Sequence, residues 1–183
     1  MQSIVQSFRD SARELKNVRV LAATALLIAL NLILSKFQFY ITPNDRVSLS
    51  FLATATVGAL FGPVVGMSAG MVCDLLAFLL NPQPAPYFPG FTITAMMGGM
   101  IYGLVLYRRD VTTPRAFLAK GLVSLVCNVG LNSIWKYMLY GKALYVLLPA
   151  AVIKNLLLFP FESLLLVTVC SSLLRIYRHS HSH

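Results

Sequence analysis

Apolar runs long enough to cross a bilayer recur along almost the whole chain, separated by short polar or proline-rich connections. A helix needs about 20 apolar residues to span the hydrocarbon core, and it satisfies its own backbone groups there. Hydrophobic residues make up 57% of the 183 residues and charged residues only 11%, which excludes an ordinary soluble domain. The sequence therefore predicts an all-α integral membrane protein.

We predict a single membrane domain over residues 1–183, a bundle of six transmembrane helices. The predicted spans are 18–38, 47–61, 63–80, 91–107, 115–140 and 148–176. The break between the second and third spans is placed at Gly62-Pro63, because proline ends a helix. Either of these two spans alone is short for a bilayer.

The basic residues indicate the orientation of the bundle. They cluster before the first span, around the connection between the fourth and fifth spans, and after the sixth: Arg9, Arg13, Lys16, Arg19, Arg108, Arg109, Arg115, Lys120, Arg175 and Arg178. Since cations concentrate in cytoplasmic loops, both termini are predicted to be cytoplasmic. Residues 1–17 carry Ile4, Phe8, Ala12 and Leu15 on one helical face, which predicts a helix on the cytoplasmic surface.

With this orientation, the end of the fifth span lies at the outer side of the membrane and is unusually polar. Asn128, Asn132 and Trp135 follow each other at spacings of four and three, so they share one helical face. An aromatic belt at the interface explains Trp135 and Tyr137, but the two asparagines lie one to two turns deeper. We favour a binding wall for a flat, polar, anionic molecule, because polar groups at that depth usually have a function.

Two carboxylates lie inside predicted spans. Asp74 either pairs with a cation such as Lys36 or Lys154 or contacts the substrate, and the sequence leaves both interpretations open. Glu162 is interpreted as a structural pair.

Small residues at four-residue spacing let helices approach closely, and they occur on several spans. Ala25 and Ala29 form such a pair on the first span. Glycines repeat the spacing on spans two to four, where we expect packing within the bundle: Gly58, Gly62, Gly66, Gly70, Gly99 and Gly103.

No sequence motif for nucleotide hydrolysis or for nucleophilic catalysis is present. The three cysteines, Cys73, Cys127 and Cys170, fall inside apolar runs without a CxxC pair and read as core residues. We therefore expect a protein that is not an enzyme and has no cofactor or metal site. If it transports, the energy comes from an ion gradient or from partner proteins.

Four motifs stand out along the chain: Ala25-x-x-x-Ala29, Gly62-Pro-Val-Val-Gly66 leading to Cys73-Asp74, Tyr87-Phe-Pro-Gly-Phe-Thr-Ile-Thr94, and Asn128-Val-Gly-Leu-Asn132-Ser-Ile-Trp135 with Met138-Leu-Tyr140-Gly-Lys142. Through them the chain resembles the substrate-binding S components of energy-coupling factor (ECF) vitamin transporters, and among them the folate family, over about residues 18–176. The last of the four motifs is the most specific for folate.

The resemblance implies a high-affinity folate-binding subunit in a bacterial plasma membrane. Ala25 and Ala29 would dock on a transmembrane coupling subunit, while two cytoplasmic ATPases drive uptake. Folate would be the transported ligand, with its pterin ring stacked on Trp135 or Tyr87. The expected substrate-binding residues are Arg46, Asp74, Tyr87, Asn128, Asn132, Trp135 and Lys142.

Two alternatives stay open at this point. The same architecture serves other vitamins, such as a thiamine- or riboflavin-like ligand, although the excess of outer cations favours an acid. A stand-alone ion-coupled transporter would need coupling carboxylates in the membrane, for which Asp74 and Glu162 are the candidates.

Overall fold

The computed structural model describes residues 4–36, 38–42, 45–80, 87–141 and 144–180. It consists of eight α-helices, one π-helical segment and one two-stranded hairpin within these ranges. In chain order the elements are α1 (Ile4–Glu14), α2 (Val18–Lys36), β1 (Gln38–Thr42), β2 (Asp45–Ser48), α3 (Phe51–Phe61), α4 (Pro63–Leu80), α5 (Pro89–Leu106), α6 (Thr113–Val123), the π-helical segment Ser124–Leu131, α7 (Asn132–Tyr140) and α8 (Leu144–Ser180).

Five helical stretches in the described residues are long and apolar enough to cross a membrane, which confirms the prediction of a helical membrane protein. They are Val18–Lys36, Pro63–Leu80, Pro89–Leu106, Thr113–Leu139 and Ala151–Leu174. The second predicted span differs: it is the 11-residue helix α3, too short to cross a bilayer alone. Ala55, Val57 and Phe61 of α3 are at most 1% exposed, because the helix is enclosed by its neighbours instead of by lipid.

The connection between the first two predicted spans forms a two-stranded hairpin, and the other elements of the described residues are helical. β1 and β2 pair antiparallel, with Phe39 opposite Val47 and Tyr40 opposite Arg46. The predicted second span began near Val47, but this residue belongs to β2 and the helix begins at Phe51. The β-branched and aromatic residues of this segment favour extended pairing over a helix.

Glycines join α3, α4 and α5 at backbone contact, as predicted for packing within the bundle. A Cβ atom at Gly66 would lie 2.5 Å from the carbonyl oxygen of Gly99, and one at Gly58 would lie 2.8 Å from the backbone nitrogen of Gly103. No side chain fits at these positions, so the three helices meet more closely than side-chain packing allows. This close contact fixes α4, which carries Asp74, against α5.

The N-terminal helix is fastened to the bundle through Ser11, which is completely buried. Its hydroxyl donates to the carbonyl of Phe61 at 2.7 Å and accepts from the backbone N–H groups of Val64 and Val65 at 3.0 and 3.2 Å. The break at Gly62-Pro63 starts a new helix, and the N–H groups in the first turn of a helix have no carbonyl acceptor within that helix. The Ser11 hydroxyl supplies the acceptor for two of these N–H groups.

Glu162 forms a buried ion pair inside the bundle, which confirms its interpretation as a structural pair. Lys120 Nζ lies 2.9 Å from Glu162 Oε2, with the two side chains 4% and 11% exposed. The ammonium also lies 3.9 Å from the centre of the Phe51 ring. The sequence analysis counted Lys120 among the loop cations, and this was wrong, because the residue lies inside α6 and faces α8.

All three cysteines are buried free thiols. Cys170 Sγ lies 3.6 Å from the hydroxyl of Thr56, and Cys127 packs in the main apolar core. They contribute small apolar volume to the bundle.

Candidate ligand-binding site

The predicted site residues whose side chains the structure describes lie toward one end of the bundle. The hairpin joins α2 to α3 there, α4 ends and α5 begins there, and α7 is followed by α8. Asn31 near the end of α2 donates to the carbonyl of Ser50 at 2.8 Å and to the hydroxyl of Thr54 at 2.9 Å, which ties α2 to the start of α3. The connecting residues 43–44, 81–86 and 142–143 lie outside the described ranges.

Asp74 is joined to α5 through a pair of hydroxyl groups. Thr92 donates to Asp74 Oδ2 at 2.6 Å, and the Tyr87 hydroxyl lies 2.5 Å from the Thr92 hydroxyl. The Tyr87 ring packs edge-on against Phe78 of α4, with ring centres 5.3 Å apart. The structure therefore links Asp74 to Tyr87 through Thr92.

Trp135 contacts the first turns of α5 through Thr94, on the side of the helix opposite Thr92. Its indole N–H donates to the Thr94 hydroxyl at 3.0 Å, and Thr94 donates to the carbonyl of Gly90 at 3.1 Å. The ring packs against Phe88, with centres 5.7 Å apart. A Cβ at Gly90 would lie 2.6 Å from the Trp135 ring, so glycine is required for this packing. Trp135 is half-buried, whereas Tyr137 is 48% exposed, as expected of an aromatic belt.

The two asparagines lie on either side of a change in helix type. Asn128 belongs to the π-helical segment, and Asn132 begins α7. Asn128 donates to the side-chain oxygen of Asn155 on α8 at 2.9 Å, and Asn155 donates to the carbonyl of Ala151 at 2.8 Å. The Asn132 side chain is half-buried and has no hydrogen-bond partner among the described residues. π-Helical turns frequently occur at functional sites, where they change which face a side chain occupies.

The predicted residues thus form separate groups around the start of α5 and do not touch one another in one cluster. The first group contains Asp74 and Tyr87, and the second contains Trp135. Arg46 lies in β2 opposite Tyr40. Lys142 lies outside the described residues.

Three polar residues of this region were missed by the sequence analysis as individual site residues: Thr92, Thr94 and Asn155. The two threonines stand two positions apart in the first turns of α5, so they point to opposite sides of that helix. The sequence carries no signal that distinguishes them, because a threonine hydroxyl can bond to its own helix anywhere in a span.

The predicted docking residues Ala25 and Ala29 are both exposed on α2. The inward face of that helix carries Val20, Thr24 and Asn31, which are buried. The alanines and the exposed Leu26 therefore form an outward face that is available to lipid or to another helix. In the part of the chain that the structure describes, no cluster of potential metal ligands occurs.

Comparison with known proteins assigns this arrangement to a family. Residues 19–170 match the family model of the ECF transporter, substrate-specific component. The chain belongs to the ECF transporter S components. The matched residues include every helix from α2 onward, apart from the last turns of α8, and both groups of side chains around α5.

Two relatives of this S component are named folate transporter FolT. The protein from Clostridium novyi (strain NT) is 34% identical over 152 residues, which cover 83% of this chain and 88% of the relative. The protein from Leuconostoc mesenteroides subsp. mesenteroides is 35% identical over 153 residues, covering 80% and 81%. Among solved structures, the crystal structure of FolT bound with folic acid superimposes with a TM-score of 0.78 at 30% identity, covering 85% of this chain and 95% of that chain.

Proposed function

We propose that this S component binds folate with high affinity and delivers it through an ATP-driven uptake transporter of the ECF type. The observation that carries the proposal is the fold similarity to FolT bound with folic acid, which extends over 85% of this chain. The two relatives named as folate transporters match it over most of their length and support the same ligand.

The chemistry of the site fits the parts of a folate molecule. A pterin ring presents a flat face and an edge with N–H donors, which suits stacking on Trp135 and hydrogen bonding to Asp74, Asn128 or Asn132. The glutamate tail carries two negative charges, for which we propose Arg46 and Lys142 as partners. Tyr87 belongs to the same site through its contact with Thr92.

The alternative of a stand-alone ion-coupled transporter is weakened, because one of its two candidate carboxylates is already paired. Glu162 pairs with Lys120, and this ion pair leaves no exposed carboxylate at that position. Asp74 alone remains as a candidate.

Calorimetric titration of the purified chain in detergent with folic acid tests the proposed ligand. We expect tight binding at one site per chain. Heat with a different vitamin but none with folic acid would keep the S-component architecture and reject folate as the ligand.

Replacing Trp135 with alanine is expected to weaken folic acid binding about tenfold or more, because an aromatic stacking surface is lost together with its buried area. The same titration measures the effect. Tyr137→Ala is the matched control, since Tyr137 is an exposed aromatic residue on the same helix. Equal affinity of the two variants would remove Trp135 from the site.

The proposed location is a bacterial plasma membrane, with multiple spans and both termini in the cytoplasm. In that setting α4 is one of the membrane-spanning helices, and the short helix α3 is enclosed within the bundle in the place of the second predicted span. The proposed partners are a transmembrane coupling subunit and two cytoplasmic ATPases that supply the energy, so this chain is a transport subunit with no enzymatic activity of its own. Ala25 and Ala29, exposed on α2, provide the small-residue surface for docking.

Ala25→Trp should leave folic acid affinity unchanged but lower uptake by tenfold or more, since about 1.4 kcal/mol of lost association free energy suffices for that factor. Uptake of labelled folic acid into proteoliposomes that contain the complete transporter measures it. Leu157→Trp on α8 is the control, because Leu157 is 74% exposed on another helix. Full uptake by Ala25→Trp would contradict the docking role.

A further inference from the structure

We propose that Thr92 is a positioning residue that orients the Asp74 carboxylate toward the N–H edge of a pterin ring and so determines specificity for the 2-amino group. This inference rests on the proposed function as a folate-binding subunit. Thr92 itself does not contact the ligand. It acts through Asp74, to which it donates at 2.6 Å.

The direction of the hydrogen bonds around Thr92 follows from counting protons. A threonine hydroxyl has one hydrogen, and an ionised carboxylate only accepts. Because Thr92 gives its hydrogen to Asp74 Oδ2, the short contact between Thr92 and Tyr87 requires Tyr87 to be the donor. The result is a chain in which Tyr87 donates to Thr92 and Thr92 donates to Asp74.

This chain of hydrogen bonds fixes the plane of the Asp74 carboxylate. Thr92 is 6% exposed and lies on a helix that meets α4 through backbone contacts, so its hydroxyl has little freedom to move. Tyr87 is held in turn by its edge-on contact with Phe78. The geometry assigns Oδ2 to Thr92 and leaves Oδ1 as the oxygen that meets a ligand N–H group. A carboxylate held in this way accepts hydrogen bonds and rejects ligands that present acceptors.

The ligand chemistry that fits is an edge with adjacent N–H donors. In folic acid the 2-amino group and the neighbouring ring nitrogen present such an edge. A ligand that lacks the amino group would leave Oδ1 of the carboxylate without that hydrogen bond, and a site built for a hydrogen bond discriminates strongly against such an analogue. Thr92 therefore contributes to discrimination and not only to affinity.

The test compares folic acid with its analogue in which a methyl group replaces the 2-amino group. Calorimetry gives the affinity of both ligands for the unmodified chain and for Thr92→Val, which keeps the shape and removes the hydroxyl. We expect Thr92→Val to bind folic acid about tenfold more weakly, with little change for the analogue, so that the ratio of affinities falls. Thr92→Ser should restore the ratio because it restores the donor.

The control is Thr168→Val on α8, where the hydroxyl is exposed and bonds only to the preceding turn of its own helix at 3.0 Å. Equal losses for both ligands in Thr92→Val, or no loss for either, would overturn the positioning role. If Thr92→Val does not fold, Tyr87→Phe removes the first donor of the chain, and an unchanged ratio in that variant would overturn the proposal. Failure of the unmodified chain and of Thr168→Val to bind folic acid would instead reject the proposed function, and this inference with it.

Discussion

Glu162→Gln is expected to lower the free energy of unfolding by about 3–5 kcal/mol, because it leaves the Lys120 ammonium buried without its counter-charge. The Lys120 side chain is only 4% exposed, and its ammonium also lies 3.9 Å from the centre of the Phe51 ring. A ring face stabilises a cation far less than a carboxylate does. The change is measured by unfolding the protein in detergent micelles while the loss of the helical circular dichroism signal is recorded.

Two controls separate the buried charge from other effects of substitution. Asp10→Asn removes the partner of Arg108 in an ion pair whose side chains are 27% and 47% exposed, and we expect a loss below about 1 kcal/mol. The double variant Lys120→Met with Glu162→Met removes both charges, and it should recover most of the stability lost by Glu162→Gln. Similar losses of unfolding free energy for Glu162→Gln and Asp10→Asn would show that burial does not make the Lys120–Glu162 pair more important for stability than the exposed pair.

Gly99→Ala should destabilise the protein by about 3 kcal/mol, because the added methyl group enters the backbone of α4. A Cβ at this position would overlap the carbonyl oxygen of Gly66 and lie 2.5 Å from its carbonyl carbon. The neighbouring Gly98 offers a matched control, since the nearest atom to its Cβ would be Cys127 Sγ at 4.0 Å. Gly98→Ala is expected to be neutral or to stabilise by up to about 1 kcal/mol through helix propensity.

Gly99→Ala also tests how helix packing affects the candidate binding site. α4 carries Asp74 and α5 carries Thr92, so forcing the two helices apart at Gly99 would lengthen the hydrogen bond between these residues. We expect the folded fraction of Gly99→Ala to bind folic acid more weakly than Gly98→Ala does. Equal stability and equal affinity of the two variants would contradict the close contact at Gly99.

The sequence predicted most of the long helices, but it did not show whether lipid or other helices surround each of them. Length and apolar character predict a span at 18–38 or 91–107, since lipid imposes both requirements directly. The same criteria fail for α3, because a short apolar run looks alike whether protein or lipid surrounds it. Lys120 was misplaced for a related reason: charge counting assigns a cation to the nearest loop, and its pairing with Glu162 depends on tertiary structure.

For the candidate site, the residue types were predictable and their partners were not. The depth of Asp74 and Trp135 in apolar runs marked them as unusual. Threonine gives no comparable signal, because its hydroxyl can bond to its own helix anywhere in a span. Only the packing of α5 between α4 and α7 shows that Thr92 and Thr94 bond to Asp74 and Trp135 instead.

The position of Trp135 has a practical consequence, because it is the only tryptophan in the chain. Light absorbed at the red edge of the protein spectrum therefore excites a single indole, and its emission reports on one place. That indole is held by Thr94 on one side and by Phe88 on the other, beside the start of α5. The protein thus contains an intrinsic fluorophore at its candidate binding site, without the need for an attached dye.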